Sequence, residues 1–100
     1  MNIKKNFDSL PLNTPVLFLV FNRPDTTSIV FEKIRQTKPP RLYVAGDGPR
    51  KGNDEDKEKV KKVRDIVNRI DWPCEVKTLF RERNLGCKKG VSTSITWFFK

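Results

Sequence analysis

The segment Val16-Leu-Phe-Leu-Val-Phe21 constrains this chain most. It is short, unbroken by any polar residue, rich in strand formers, and halted at once by Asn22-Arg23-Pro24-Asp25. An amphipathic strand alternates. A run without alternation fits a strand covered on both faces, the situation of a parallel sheet between layers of helices.

The order of later elements agrees. Asp25-Thr26-Thr27-Ser28 offers N-cap candidates for a helix ending near Gln36, with Val30, Phe31 and Ile34 expected to share its inner face. Pro39-Pro40 closes that helix. Leu42-Tyr-Val-Ala45 reads as a second buried strand, broken by Gly46-Asp47-Gly48-Pro49. Asp54 to Ile70 then gives the clearest helix, with Val60, Val63, Val67 and Ile70 on one stripe and acid-first pairs such as Glu55/Lys59 four residues apart. Its charges read as a solvated outer face with a structural role. After Asp71-Trp72-Pro73, Cys74 to Phe80 roughly alternates, as a strand near a sheet edge would. Arg81 to Gly90 is polar and basic, and Val91, Ile95 and Phe98 mark a third helix.

The fold class is therefore α/β: a three-layer parallel sheet of βαβαβα type, with right-handed crossovers and strand order 3-2-1 as the simplest arrangement. Residues 1–14 are expected to form an extended N-terminal segment. A chain of 100 residues supports one core, not two.

Composition removes several chemistries. There is no His, which excludes His-based triads and the usual zinc sites. Two cysteines, Cys74 and Cys87, are too few for a disulfide scaffold, and their pairing stays open. No apolar run approaches the ~20 residues of a membrane span, and the first residues lack a signal-peptide core, so a soluble cytoplasmic protein is expected. Neither G-x-G-x-x-G nor a phosphate loop of the G-x-x-x-x-G-K-[ST] type is present. Ser and Thr at 92–94 have no base of the His type, and Cys87 reads as an incidental thiol.

The net charge of +9 falls mainly in residues 33–53 and 81–100, around two turns rather than in the charge-dense helix. An anionic ligand, phosphate foremost, is the expected partner. In open parallel sheets ligands bind beyond the carboxyl ends of the strands. Those ends are Asn22-Arg23-Pro24, Gly46-Asp47-Gly48 and Arg81-Glu-Arg-Asn-Leu-Gly86, which together offer a carboxylate, three arginines and backbone N–H groups. Lys88 and Lys89 at a helix start oppose its dipole, a conflict that a bound anion would relieve.

On Val16 to Pro24, the Val44-Ala-Gly-Asp-Gly48 turn, and Arg81-x-x-Asn84-x-Gly86 before a helix, the chain resembles the N-terminal part of GT-A-type glycosyltransferases of the family 2 kind, including haemolysin-like bacterial sugar transferases. The resemblance implies the nucleotide-sugar-binding half of a nucleotide-diphospho-sugar transferase fold, acting in polysaccharide or surface-glycan synthesis. It implies that Phe21, Asn22 and Arg23 hold base and ribose, that Asp47 accepts the N–H of a uracil-like base, that Arg81 and Asn84 line the base and ribose side, and that Gly86 lets the next helix approach a UDP-type nucleotide sugar. The Asp-x-Asp metal motif and catalytic carboxylate of such enzymes have no counterpart after the third helix. Asp54-Glu55-Asp56 has the letters in the wrong place. By the same resemblance, no catalytic residue, no metal ligand and no cofactor belong to this chain, Mg or Mn being expected only in a full-length parent, and the isolated chain is expected to be inactive.

Without a fourth strand the first would keep one open edge. Pairing with a neighbouring chain, capping by the N-terminal segment, and exposed apolar surface are the three expected outcomes. A basic nucleic-acid-binding or interaction module is the alternative reading of the charge, opposed by aromatics placed for packing rather than stacking. A phosphoacceptor domain would need acids where Asn22 and Arg23 stand.

Overall fold

The computed structural model describes residues 14–100, so the expected extended segment lies outside the described residues except for Thr14. The elements follow the order β1 (Val16–Val20), α1 (Pro24–Thr37), β2 (Arg41–Gly46), α2 (Asp54–Val67), β3 (Glu75–Phe80) and α3 (Cys87–Phe98). The three strands form one parallel sheet in the order β1-β2-β3, which is the expected 3-2-1. Val16 faces Leu42 and Leu42 faces Val76, and the register runs unbroken to Val20–Gly46 and Gly46–Phe80.

The helices divide between the faces. α1 and α2 pack on each other over one face, while α3 lies against β1 and β2. Phe18, Leu42, Val44, Phe31, Ile66, Val67 and Trp72 form the core beneath α1 and α2. Leu42, Val44 and Val63 are wholly buried, each worth about 1.5–3 kcal/mol of transfer free energy. Trp72, in the turn after α2, packs its ring at a tilt 6.0 Å from that of Phe31 and donates its indole N–H to the Pro39 carbonyl at 2.8 Å. The Asp71-Trp72-Pro73 break is thus also a plug that ties the two helix-to-strand turns together.

Several boundaries move for identifiable reasons. α1 begins at Pro24, ahead of the Asp25–Ser28 stretch, because proline at the first helical position needs no donor and has its φ already set. Thr27 N–H then donates to the Arg23 carbonyl at 2.8 Å. Thr27, Phe31 and Ile34 form the inward face, and Val30 stays 38% exposed on its flank rather than sharing it. α2 stops at Val67, three residues before the expected end, and Ile70 reaches the core from the following turn.

The largest correction concerns α3. It starts at Cys87, within the stretch read as a basic loop, and it buries Gly90 and Ser94 rather than the Val91–Ile95 side. Gly90 is the cause. A Cβ there would stand 3.3 Å from Oδ2 of Asp47, a tight contact, so the glycine lets the helix settle on the β2 turn without moving that carboxylate. Further along, Trp97 and Phe98 pack edge-on to Tyr43 at 5.4 and 5.0 Å. Both cysteines are free thiols. Among the described residues, no helix is long and apolar enough to cross a membrane.

Candidate ligand-binding site at the carboxyl edge of the sheet

Parallel pairing brings the three strand ends to one rim. Asp47 N–H donates to the Val20 carbonyl at 3.2 Å, and Arg81 N–H to the Gly46 carbonyl at 2.9 Å, so the ladder continues one step past each strand. Asn22, Asp47 and Arg81 therefore leave the sheet side by side, but their side chains take separate partners.

Asp47 is the centre of the rim. Its Oδ1 accepts from the backbone N–H of Gly48 at 2.9 Å and of Leu85 at 2.8 Å. Its Oδ2 accepts from Asn84 Nδ2 and from Gly86 N–H, both at 3.2 Å. Four donors fill the four lone-pair directions of a carboxylate. Asn84 also donates to the Gly48 carbonyl at 3.0 Å. Asp47 thereby fastens the β3–α3 loop across the end of β2, and Gly48 allows the crossing: a Cβ there would come within 2.6–2.7 Å of the Glu82–Arg83 backbone.

Asn22 turns the other way, donating its amide to Asp56 Oδ1 at 3.0 Å. Asp56 is 2% exposed and overturns the reading of its helix face as uniformly solvated. Arg50 grips it with two guanidinium bonds of 2.6 and 2.8 Å and donates its own backbone N–H at 3.1 Å. The Arg50 guanidinium, helped by Asn22, holds the Asp56 carboxyl well below the usual aspartate range despite its burial. Asn53 caps α2 by accepting the Asp56 N–H at 2.9 Å. In sequence, Asn53-x-x-Asp56 shows only the cap; the Arg50 partner carries no periodic signal.

Arg64 was equally hidden among helix charges, although it lies four residues after Val60 and three before Val67, inside the apolar stripe. Its guanidinium sits 4.8 Å from the Phe80 ring centroid and donates to the Arg81 carbonyl at 2.7 Å. Its Nε is buried with no partner, and burial lowers its pKa. Arg81 sends its own side chain to Thr93 Oγ1 at 2.9 Å, which pins the loop to α3. Arg23 is exposed at the N-cap of α1.

Between β1, the Asp47 turn and the first half of α3 lies a cavity of about 440 Å³. Leu19, Val20, Phe21, Ala45 and Val91 supply its apolar wall, and Asp47, Arg50, Asn84, Gly86 and Ser94 its polar groups. Phe21, Asp47, Asn84 and Gly86 were expected at such a site. Asn22, Arg23 and Arg81 are not part of the lining, and the cation that does line it is Arg50. The uncapped N-terminus of α3, with no acid in its first turn, adjoins the cavity at Gly86 and Cys87. Among the described residues, no cluster of three or more metal-ligating side chains forms.

Comparisons with protein families, with curated proteins and with solved structures return no match to this chain.

Proposed function

We propose that this cavity binds the nucleoside diphosphate part of a UDP-type nucleotide sugar, and that the chain is the donor-binding portion of a glycosyltransferase of surface-glycan synthesis. One observation carries the reading: a concave, largely apolar site with a few convergent polar groups opens at the carboxyl edge of a parallel sheet, where such folds take their ligands. The resemblance of the β1 end, the Asp47 turn and the Asn84–Gly86 loop to family 2 enzymes supplies the ligand class.

The apolar wall around Phe21 suits a base and ribose. The α3 N-terminus and Arg50 suit phosphate, through backbone N–H groups and a guanidinium. Asp47 can take a base N–H only by exchange. Its two longer bonds are both on Oδ2, and Asn84 has the Gly48 carbonyl as a second acceptor, so Asn84 is the donor that a base would displace.

The test is titration of the folded chain with UDP, without metal, followed by amide NMR. The reading expects shifts at Phe21, Asp47, Gly86 and Cys87, weaker shifts with ADP, and loss of both in Val91→Trp, which fills the cavity without touching the Asp47 loop. A well-dispersed spectrum that UDP leaves unmoved overturns it.

A further inference from the structure

Asp56 stands at the third position of α2, where the acidic side chain of a capping box would turn back to the N-cap amide. Here that amide, the Asn53 N–H, donates to the Arg50 carbonyl at 3.1 Å instead, and the Asp56 carboxylate is left for other partners. Three of its four hydrogen bonds come from one residue, through the backbone N–H, Nε and Nη2 of Arg50; Asn22 supplies the fourth. A carboxylate that is 2% exposed therefore immobilises a side chain that is 59% exposed. Capping of α2 does not require this, since Asn53 already supplies the cap.

The atoms involved decide what is left over. A guanidinium offers two parallel N–H pairs, one along its side edge (Nε with Nη2) and one along its end edge (Nη1 with Nη2). Asp56 fills the side edge, with Nε on Oδ2 at 2.6 Å and Nη2 on Oδ1 at 2.8 Å. Among the described residues Nη1 has no hydrogen-bond partner, and Nη2 keeps its second hydrogen. The end edge is thus intact and turned away from a buried carboxylate. It belongs to a residue that lines the cavity, whereas Asp56 does not.

Two oxygens on one phosphorus match that edge. Since Arg50 and Asp56 together are neutral, the edge supplies direction more than net charge. The charge comes from the start of α3, which reaches the same cavity at Gly86 and Cys87 and carries Lys88 and Lys89 with no acid in its first turn. A multiply charged phosphate suits this pairing of fork and field better than a single carboxylate.

We infer that the end edge of Arg50 is a phosphate clamp for the diphosphate of the ligand, and that Asp56, anchored by Asn22, is the positioning residue that holds it. The inference rests on the reading of the cavity as a nucleoside diphosphate site. The clamp itself lies wholly within residues 22–56, so it does not depend on either end of the chain.

Inorganic pyrophosphate and UDP, each titrated without metal into the 15N-labelled full chain, test it through the arginine Nε and Nη signals, with Arg50→Lys assigning those of Arg50. Both probes should shift the Arg50 Nη signals while the Nε signal, held on Asp56, stays in place. Arg50→Lys keeps a charge that Asp56 can pair but has no second fork, and should weaken pyrophosphate binding at least about tenfold. Folded Asp56→Asn should weaken it too, although the chain gains positive charge; equal or tighter binding would mean that Asp56 serves the fold alone, and overturns the positioning role. UDP that moves Phe21 and Asp47 but not the Arg50 Nη signals overturns the clamp and leaves the nucleotide reading standing. Pyrophosphate that moves those signals while UDP leaves Phe21 unmoved supports the clamp and overturns the nucleotide reading. Binding of neither probe, displacement of the Nε signal by the ligand, or full affinity in Arg50→Lys each overturns the inference. Should Asp56→Asn fail to fold, the paired Nε and Nη readout in the natural chain decides alone.

Discussion

Oδ1 of Asp47 lies 2.8 Å from the backbone nitrogen of Leu85, a residue 38 positions later in the chain. This bond, with those to Asn84 and Gly86, makes the aspartate a fastener between the second and third strand ends rather than an open acceptor. Asp47→Asn replaces one acceptor oxygen by a donor that faces backbone N–H groups. The expected cost is about 1–3 kcal/mol for the donors left unsatisfied. Hydrogen exchange should show Leu85 and Gly86 losing protection while the Leu42–Ala45 amides keep theirs; uniform loss over the sheet would mean that the aspartate supports the fold as a whole.

Acid should act through Asp56. Its folded-state pKa is depressed, first by Arg50, so the native carboxylate binds protons less readily than the unfolded one. Stability from this group is full well above the ordinary aspartate value of 3.8 and declines as pH falls below it toward the depressed value. Asp56→Asn should unfold more easily than the natural chain at neutral pH, and the difference should shrink steadily on acidification. Denaturant midpoints measured from pH 7 down to pH 2 check this, and a constant difference would assign the low-pH loss elsewhere.

Gly48 is the position where the β2 turn and the β3–α3 loop cross. A methyl group there would overlap the Glu82 and Arg83 backbone at 2.6–2.7 Å, and backbone cannot swing aside as a side chain does. Gly48→Ala should displace the loop and cost about 1–3 kcal/mol, the usual range for overpacking. Gly52→Ala is a control with open space around its Cβ but a φ of +72°, so its loss reflects backbone strain alone. Amide shifts of Asn84 to Gly86 should move in the first variant and not in the second.

What sequence reveals here follows from what is periodic. Val16–Phe21 and the Val60–Val63–Val67 stripe report the strand and helix faces directly, because burial on a regular element repeats with its geometry. The parallel order and the strand-end rim follow from them. The contact face of α3 is hidden because it is defined by what is missing: Gly90 and Ser94 carry no apolar signal, while Val91, which does, is only half-buried at the cavity and Ile95 is exposed. The Arg50–Asp56–Asn22 cluster was illegible for another reason. It joins three separate segments, and no spacing within one segment records it. Within the rim, sequence placed Phe21, Asp47, Asn84 and Gly86 together, but it could not show that Asp47 was already engaged.

Arg64 gives the last prediction. Its stem occupies the apolar stripe of α2 and its head caps the Arg81 carbonyl at 2.7 Å, against the Phe80 ring. Arg64→Met keeps the stem volume and removes the partnerless Nε, and the latter favours the folded state. It also leaves the Arg81 carbonyl without this donor and removes the cation from the Phe80 ring, losses of about 1–3 and 0.5–2 kcal/mol. The losses outweigh the gain, because a half-satisfied arginine still satisfies a carbonyl at the end of the sheet. Thermal unfolding should therefore show Arg64→Met less stable than the natural chain. Arg64→Lys should fall between the two, since a single ammonium can reach one carbonyl but cannot lay a flat guanidinium on the ring. Equal or greater stability in Arg64→Met would show that desolvation of this arginine costs more than its two contacts return.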